Sequence, residues 1–215
     1  MGAQHFLFLN PTAWRNFSIN KMLQTSPLIR NIIIINVVVF LLQSQKWIPV
    51  SELLMLWPIE SGNFKVYQVF TYMFAHGGFM HIFFNMLALA SFGPILENYW
   101  GDKKFLTFYL ATGMGAGLIY ALINFFVGSG GPMLGASGAI YGILMAFGMV
   151  FPNLEIMLLF PPIPLKAKYM VFVMGFMTWM LDSSGSVAHS AHFGGALVAF
   201  ILITIWRQQG RNQGW

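Results

Sequence analysis

Three short stretches of this 215-residue chain carry residues that could do chemistry. HGGFMHIFFN holds His76, His81 and Asn85; GASGAIYG holds Ser137 and Tyr141; SVAHSAHFGG holds His189 and His192. A serine hydroxyl is a poor nucleophile until a base takes its proton, and a histidine within hydrogen-bond reach is the usual base. Ser137 is thus the candidate nucleophile and His192 the candidate general base. Attack on a carbonyl makes an oxyanion, which needs donors set in advance. The Ser137 backbone amide, near a helix start where amides lack partners, and the side chains of His81 and Asn85 are the candidates for that task. Tyr141, one turn below Ser137, is placed to hold the imidazole by ring stacking. Asp182 and Glu60 read as loop residues, which favours a Ser–His dyad over a triad. His76 and His189 read as loop or rim residues with no catalytic part.

Residues so far apart in the chain need elements that bring them together. Hydrophobic residues make up 57% of the chain and charged residues 8%, against about 25% charged in an ordinary soluble domain. Too little polar surface remains to solvate a globule, so the expected class is an all-α, multi-pass membrane bundle. A crossing helix needs about 20 apolar residues. Six spans are expected: Pro27 to Gln43, Phe79 to Tyr99, Lys104 to Val127, Ala136 to Phe151, Lys168 to Leu181, and Ala188 to Trp206. Six crossings put nine of the eleven Lys and Arg on one side and leave Lys46 and Lys65 on the other. The positive-inside rule makes the nine-residue side cytoplasmic, with both termini there. The net charge of +5 is explained by this topology and calls for no nucleic acid. With no cysteine, disulfide and thiolate chemistry are excluded. No cleavable signal peptide is expected, since the first apolar run starts near Leu28 and no small-residue cleavage site follows it.

Topology then supplies geometry. The second, fourth and sixth spans all begin on the outer side, and each carries its polar residues near its start. His81 and Asn85 are four apart and share a helix face, as do Ser137 and Tyr141. Polar groups inside a span face the bundle interior or a water-filled cavity. Gly138 and Gly142 on the fourth span and Gly195 and Ala199 on the sixth form small-residue stripes that let helices approach closely. Such approach is required if a serine oxygen is to lie about 3 Å from an imidazole nitrogen. The expectation is that Gly138 and Gly195 share one seam between the fourth and sixth spans. The long connection from Gln43 to Gly78, rich in Trp, Tyr, Leu and Phe, reads as a compact structure partly sunk in the outer leaflet.

These residues resemble the rhomboid intramembrane serine proteases. Gly135-Ala136-Ser137-Gly138 is similar to the family's G-x-S-G motif, and Ala191-His192 with Gly195 to its A-H-x-x-G-x-x-x-G motif. His81 through Asn85 is similar to its H-x-x-x-N element, and Glu97 with Gly101 to its E-x-x-x-G element. The resemblance covers about Pro27 to Trp206 and implies a six-helix bundle of rhomboid type with a membrane-associated first loop. It implies Ser137 as nucleophile, His192 as base, an oxyanion site of His81, Asn85 and the Ser137 amide, and support from Tyr141. No cofactor or metal is implied. Substrates would be transmembrane proteins cut near their outer ends, in a bacterial inner (plasma) membrane. Two departures stand out: Tyr67-Gln68 replaces the family's Trp-Arg pair in the first loop, and Ala199 replaces the last Gly of the base motif.

The domain reading is a cytoplasmic segment 1–26, a protease domain 27–206 and a cytoplasmic tail 207–215. Competing functions are a catalytically silent membrane protein that binds client transmembrane helices, a metal-dependent protein using the outer histidines, and a transporter. The second lacks an H-E-x-x-H motif and a nearby carboxylate; the third lacks buried charges in its spans and a repeat.

Overall fold

A computed structural model describes residues 26–45, 48–128, 130–157, 162–181 and 189–212. The expected N-terminal segment through Thr25, the loop residues Lys46 and Trp47, Asp182, the sixth-span start at Ala188, and the last three residues of the tail lie outside the described residues. The order of elements is α1 (Pro27–Gln43), α2 (Val50–Leu54), a 3-10 turn (Ile59–Ser61), α3 (Gln68–Thr71), a second 3-10 turn (Tyr72–Phe74), α4 (Phe79–Trp100), α5 (Asp102–Val127), α6 (Ser137–Val150), strands β1 (Glu155–Met157) and β2 (Pro164–Lys166), α7 (Ala167–Leu181) and α8 (His189–Asn212).

Three of these helices, Phe79–Trp100, Asp102–Val127 and the 189–210 part of α8, are long and apolar enough to cross a membrane. At 1.5 Å per residue, a 22-residue helix is about 33 Å long, the thickness of a hydrocarbon core. Helix α6 has only 14 residues. It is buried nearly all round and touches α4, α5, α7 and α8, so it is the core helix and meets protein where the others meet lipid. Outward-facing apolar side chains on the outer helices, such as Leu41, Phe126 and Phe200, stay exposed. Hydroxyls of Ser91, Thr107, Thr112 and Thr204 bond back to the carbonyl four residues earlier. A low-dielectric surround demands that kind of internal satisfaction. The chain is a mostly helical, multi-pass membrane protein.

Local signals explain the ends. Ser26 caps α1, its Oγ accepting from the Ile29 amide at 3.1 Å, and Pro27 occupies the first turn, where no amide is needed. The all-α expectation missed one feature. Between α6 and α7, β1 and β2 form an antiparallel hairpin that sets Glu155 opposite Lys166. Three-residue strands are too short to leave an alternating pattern, and opposite charges across a pair stabilise them.

The first loop is built, rather than open. Gln68, which stands where the family's arginine is expected, is 2% exposed. Its Oε1 accepts from the amides of Lys65 at 2.9 Å and Trp57 at 3.5 Å, and its Nε2 donates to the Asn63 carbonyl at 3.3 Å. A neutral amide carries both donor and acceptor and so staples this turn without burying a charge.

Candidate active site

Ser137 opens α6, and His192 lies in the first turn of α8. Ser137 Oγ and His192 Nε2 are 2.9 Å apart, within the range for direct proton transfer. The Tyr141 ring lies flat on the imidazole, with centroids 4.2 Å apart and planes 11° apart. That stack fixes the plane of the imidazole.

Gly195 explains the short distance. A Cβ there would overlap the Gly138 carbonyl oxygen, so α6 and α8 meet backbone to backbone. The expected shared seam needs correction on the α6 side. The missing Cβ of Gly138 points at the Ala116 methyl, 2.5 Å away, and that of Gly142 at Thr112 Cβ, 2.7 Å away. Both targets are on α5. The Gly138–Gly142 stripe packs α6 onto α5, and Gly195 of α8 meets Gly138 at its backbone.

The loop before Ser137 needs its glycine for two reasons. Gly135 has φ +120°, a region L side chains avoid, and a Cβ there would stand 2.6 Å from His81 Nε2. His81 therefore reaches the loop that leads into Ser137. Its Nδ1 accepts from the Gly77 amide at 3.3 Å, which leaves the proton on Nε2 and makes that atom a donor. Asn85 is turned otherwise: its Nδ2 donates to the His81 carbonyl at 2.8 Å, which leaves one N–H of the amide uncommitted. In the first turn of α6 the amides of Ser137 and Gly138 have no partner from the helix itself.

Three residues go beyond the sequence reading. His76, read as a rim residue, is 2% exposed, and its Nε2 accepts from the Ala136 amide at 3.4 Å. Burial, with the nearby His81 adding to it, holds the imidazole down at about 3, so the ring is neutral. Tyr72 accepts from the Gly135 amide at 2.9 Å through its carbonyl and fixes its ring by donating to the Gly113 carbonyl. Thr178 on α7 shares a 2.7 Å hydrogen bond with the Tyr141 hydroxyl, which also donates to the Met174 carbonyl at 3.1 Å. The polar hydroxyl inside a short apolar span was the signal for Thr178. His189 sits beside His192, with ring centroids 6.1 Å apart.

A mostly apolar cavity of about 390 Å³ opens between α7 and α8, with Tyr141, His192, Gly175 and Trp179 among its walls. A cavity of that size has room for apolar side chains beside His192.

Fold and site together define a multi-pass membrane protein whose core helix begins at a serine in contact with a histidine. A family model described as the Rhomboid domain matches residues 63–209, over half of the chain. The chain belongs to the rhomboid family. It is 33% identical over 135 residues to Rhomboid protein 1, mitochondrial, of Saccharomyces cerevisiae, covering 60% of this chain and 38% of that protein. It is 30% identical over 154 residues to the presenilin-associated rhomboid-like protein, mitochondrial, of Rattus norvegicus, covering 63% and 38%. To RHOMBOID-like protein 12, mitochondrial, of Arabidopsis thaliana it is 27% identical over 161 residues, covering 66% and 48%. The matched stretch thus spans less than half the length of each relative.

Proposed function

We propose that the protein is an intramembrane serine endopeptidase that cleaves transmembrane proteins by a Ser137–His192 dyad. The observation that carries this reading is the 2.9 Å approach of Ser137 Oγ to His192 Nε2 under a stacked Tyr141. In this reading His192 Nε2 takes the hydroxyl proton as Oγ attacks the scissile carbonyl. The Ser137 amide, His81 Nε2–H and the free N–H of Asn85 stabilise the oxyanion. His192 then gives its proton to the leaving amine, and water, activated by the same imidazole, releases the acyl group. Each of these steps uses side chains and backbone of this chain and needs no cofactor.

We place the Ser137 end at the outer face of a bacterial plasma membrane, with six crossings and both termini in the cytoplasm, on the nine-to-two split of Lys and Arg. The word "mitochondrial" belongs to the relatives' names. The absence of native cysteine makes the topology testable: a thiol reagent that cannot cross the membrane labels Lys65→Cys on intact cells but not Lys104→Cys.

A serine-directed fluorophosphonate tests the chemistry without knowledge of the substrate. Wild type is labelled and Ser137→Ala is not, while cleavage by Ser137→Ala falls by a factor on the order of 10⁶. Cleavage retained in Ser137→Ala overturns the mechanism. Wild type that binds client helices but neither labels nor cuts leaves the silent binding protein as the better reading.

A further inference from the structure

The last residues leading into Ser137 are held by the first loop. Met133 exchanges both its backbone bonds with Leu56, at 2.8 and 2.9 Å, and the Gly135 amide donates to the Tyr72 carbonyl. Those acceptors are main-chain groups that any residue supplies. The Ala136 amide is different, because its acceptor is a side chain, His76 Nε2.

Ala136 is the last residue before the nucleophile. Its carbonyl accepts from the Ile140 amide at 3.0 Å, and its N–H is held by His76. With both peptide planes around Ala136 fixed, neither of its backbone torsions is free, and the direction of the Ser137 N–H is set. Residue 76 is itself gripped from α1: the His76 amide donates to Gln43 Oε1 at 2.9 Å, and Gln43 Nε2 donates to the His76 carbonyl at 3.3 Å. A chain of contacts thus runs from α1 through Gln43 and His76 to the start of α6.

We infer that His76 is a positioning residue, which aims the Ser137 amide and hydroxyl by accepting the Ala136 N–H. The inference rests on the protease reading for its effect on rate, though not for the hydrogen bond. Only the neutral ring with its proton on Nδ1 has a lone pair on Nε2 to offer. The low proton affinity of the buried imidazole agrees with a neutral ring, and the Ala136 contact selects the tautomer, with Nδ1 unpartnered among the described residues. At 3.4 Å the bond is long, so the effect is modest beside loss of the dyad.

The test compares three variants of the full chain. His76→Gln carries an amide oxygen to about where Nε2 stands and still accepts. His76→Asn is a bond shorter and does not reach, and His76→Met fills the space with no acceptor. Three quantities are read: hydrogen exchange at the Ala136 amide, the rate of fluorophosphonate labelling, and kcat and KM on a transmembrane substrate. In His76→Asn and His76→Met, Ala136 exchange speeds up, and labelling and kcat fall about tenfold, with KM unchanged. His76→Gln restores most of both. Unchanged exchange and kcat in His76→Asn and His76→Met overturn the inference. A loss in all three variants that simply follows their thermal midpoints also overturns it, because it marks packing alone. If wild type neither labels nor cuts, the protease reading falls by itself, and exchange at Ala136 still decides whether His76 holds the loop.

Discussion

Helix α6 has two unlike neighbourhoods. Toward α5 and α8 there is no room for a methyl group: Gly138 and Gly142 would strike α5, and Gly195 of α8 would strike the α6 backbone. Toward α7, at the Ser137 end, there is space. A Cβ on Gly175 would meet only Tyr141 Cε1, at 3.8 Å, an ordinary contact. The 390 Å³ cavity opens there, lined in part by Phe172, Phe176 and Trp179, which also stay exposed. At its other end α7 is fastened. A Cβ on Gly148 would come within 2.8 Å of the Ala167 carbonyl oxygen, and the Ala167 amide donates to the Leu154 carbonyl at 2.8 Å. The 2.9 Å approach of Ser137 Oγ to His192 Nε2 would be lost with a shift of a few tenths of an ångström, and it is set by backbone contacts that cannot relax. The side that would admit a substrate under the protease reading is walled by side chains, which can turn.

The contrast is broken most directly with glycines. Gly195→Val pushes α8 off α6 and lowers kcat by a factor on the order of 100 or more, together with the thermal midpoint. Gly175→Ala leaves kcat within about twofold and raises stability by up to about 1 kcal/mol, since a helix interior prefers Ala where there is room. Comparable damage from both, measured by substrate cleavage and thermal unfolding in detergent, ends the distinction.

The rigid side extends into the first loop, and Gln68 tests that extension. Gln68→Leu leaves the amides of Lys65 and Trp57 without their acceptor and costs about 1–3 kcal/mol, read as a lower unfolding midpoint. Dyad labelling stays near the wild-type rate below that midpoint. A midpoint that does not move places the loop's stability elsewhere.

The loose side is tied to Tyr141 through its hydroxyl, which meets both Thr178 Oγ1 and the Met174 carbonyl of α7. Tyr141→Phe keeps the ring on His192 but releases Thr178 and Met174, lowering stability by about 1 kcal/mol and kcat a few-fold. Thr178→Val removes the same hydrogen bond from α7, so the double variant is little worse than either single one. Additive losses mean that the two residues act separately.

His76 adds a pH dependence. His76 sits at about 3 when folded, against 6.5 for a free imidazole, so below 6.5 the unfolded chain binds more protons. Stability from this group is full above about pH 6.5 and declines as pH falls toward 3. His76→Gln flattens that part of the curve, seen as a shallower change in unfolding midpoint with pH.

Helix periodicity made much of this visible beforehand. Composition alone called for membrane helices, and four-residue spacing put His81 with Asn85 and Ser137 with Tyr141 on common faces. Periodicity also found the Gly138–Gly142 stripe but misassigned its partner. It shows which residues share a face and says nothing of which neighbour that face meets. His76 shows the same limit. Five residues before His81 and next to two glycines, it has every local mark of a solvated loop, yet the folded first loop buries it. Gln68 read as a gap in the family pattern, and only the folded loop shows its three hydrogen bonds.

What the chain order determined unaided was local: which stretches favour helix in lipid, where they begin, and which side chains lie one turn apart. Backbone geometry enforces these over a few residues. What the tertiary structure decided was every relation between distant segments. That includes the meeting of Ser137 with His192, the facing of each glycine, and the grip of the first loop on Ala136. Those depend on contacts among residues tens of positions apart, and no repeat of 3.6 residues encodes them.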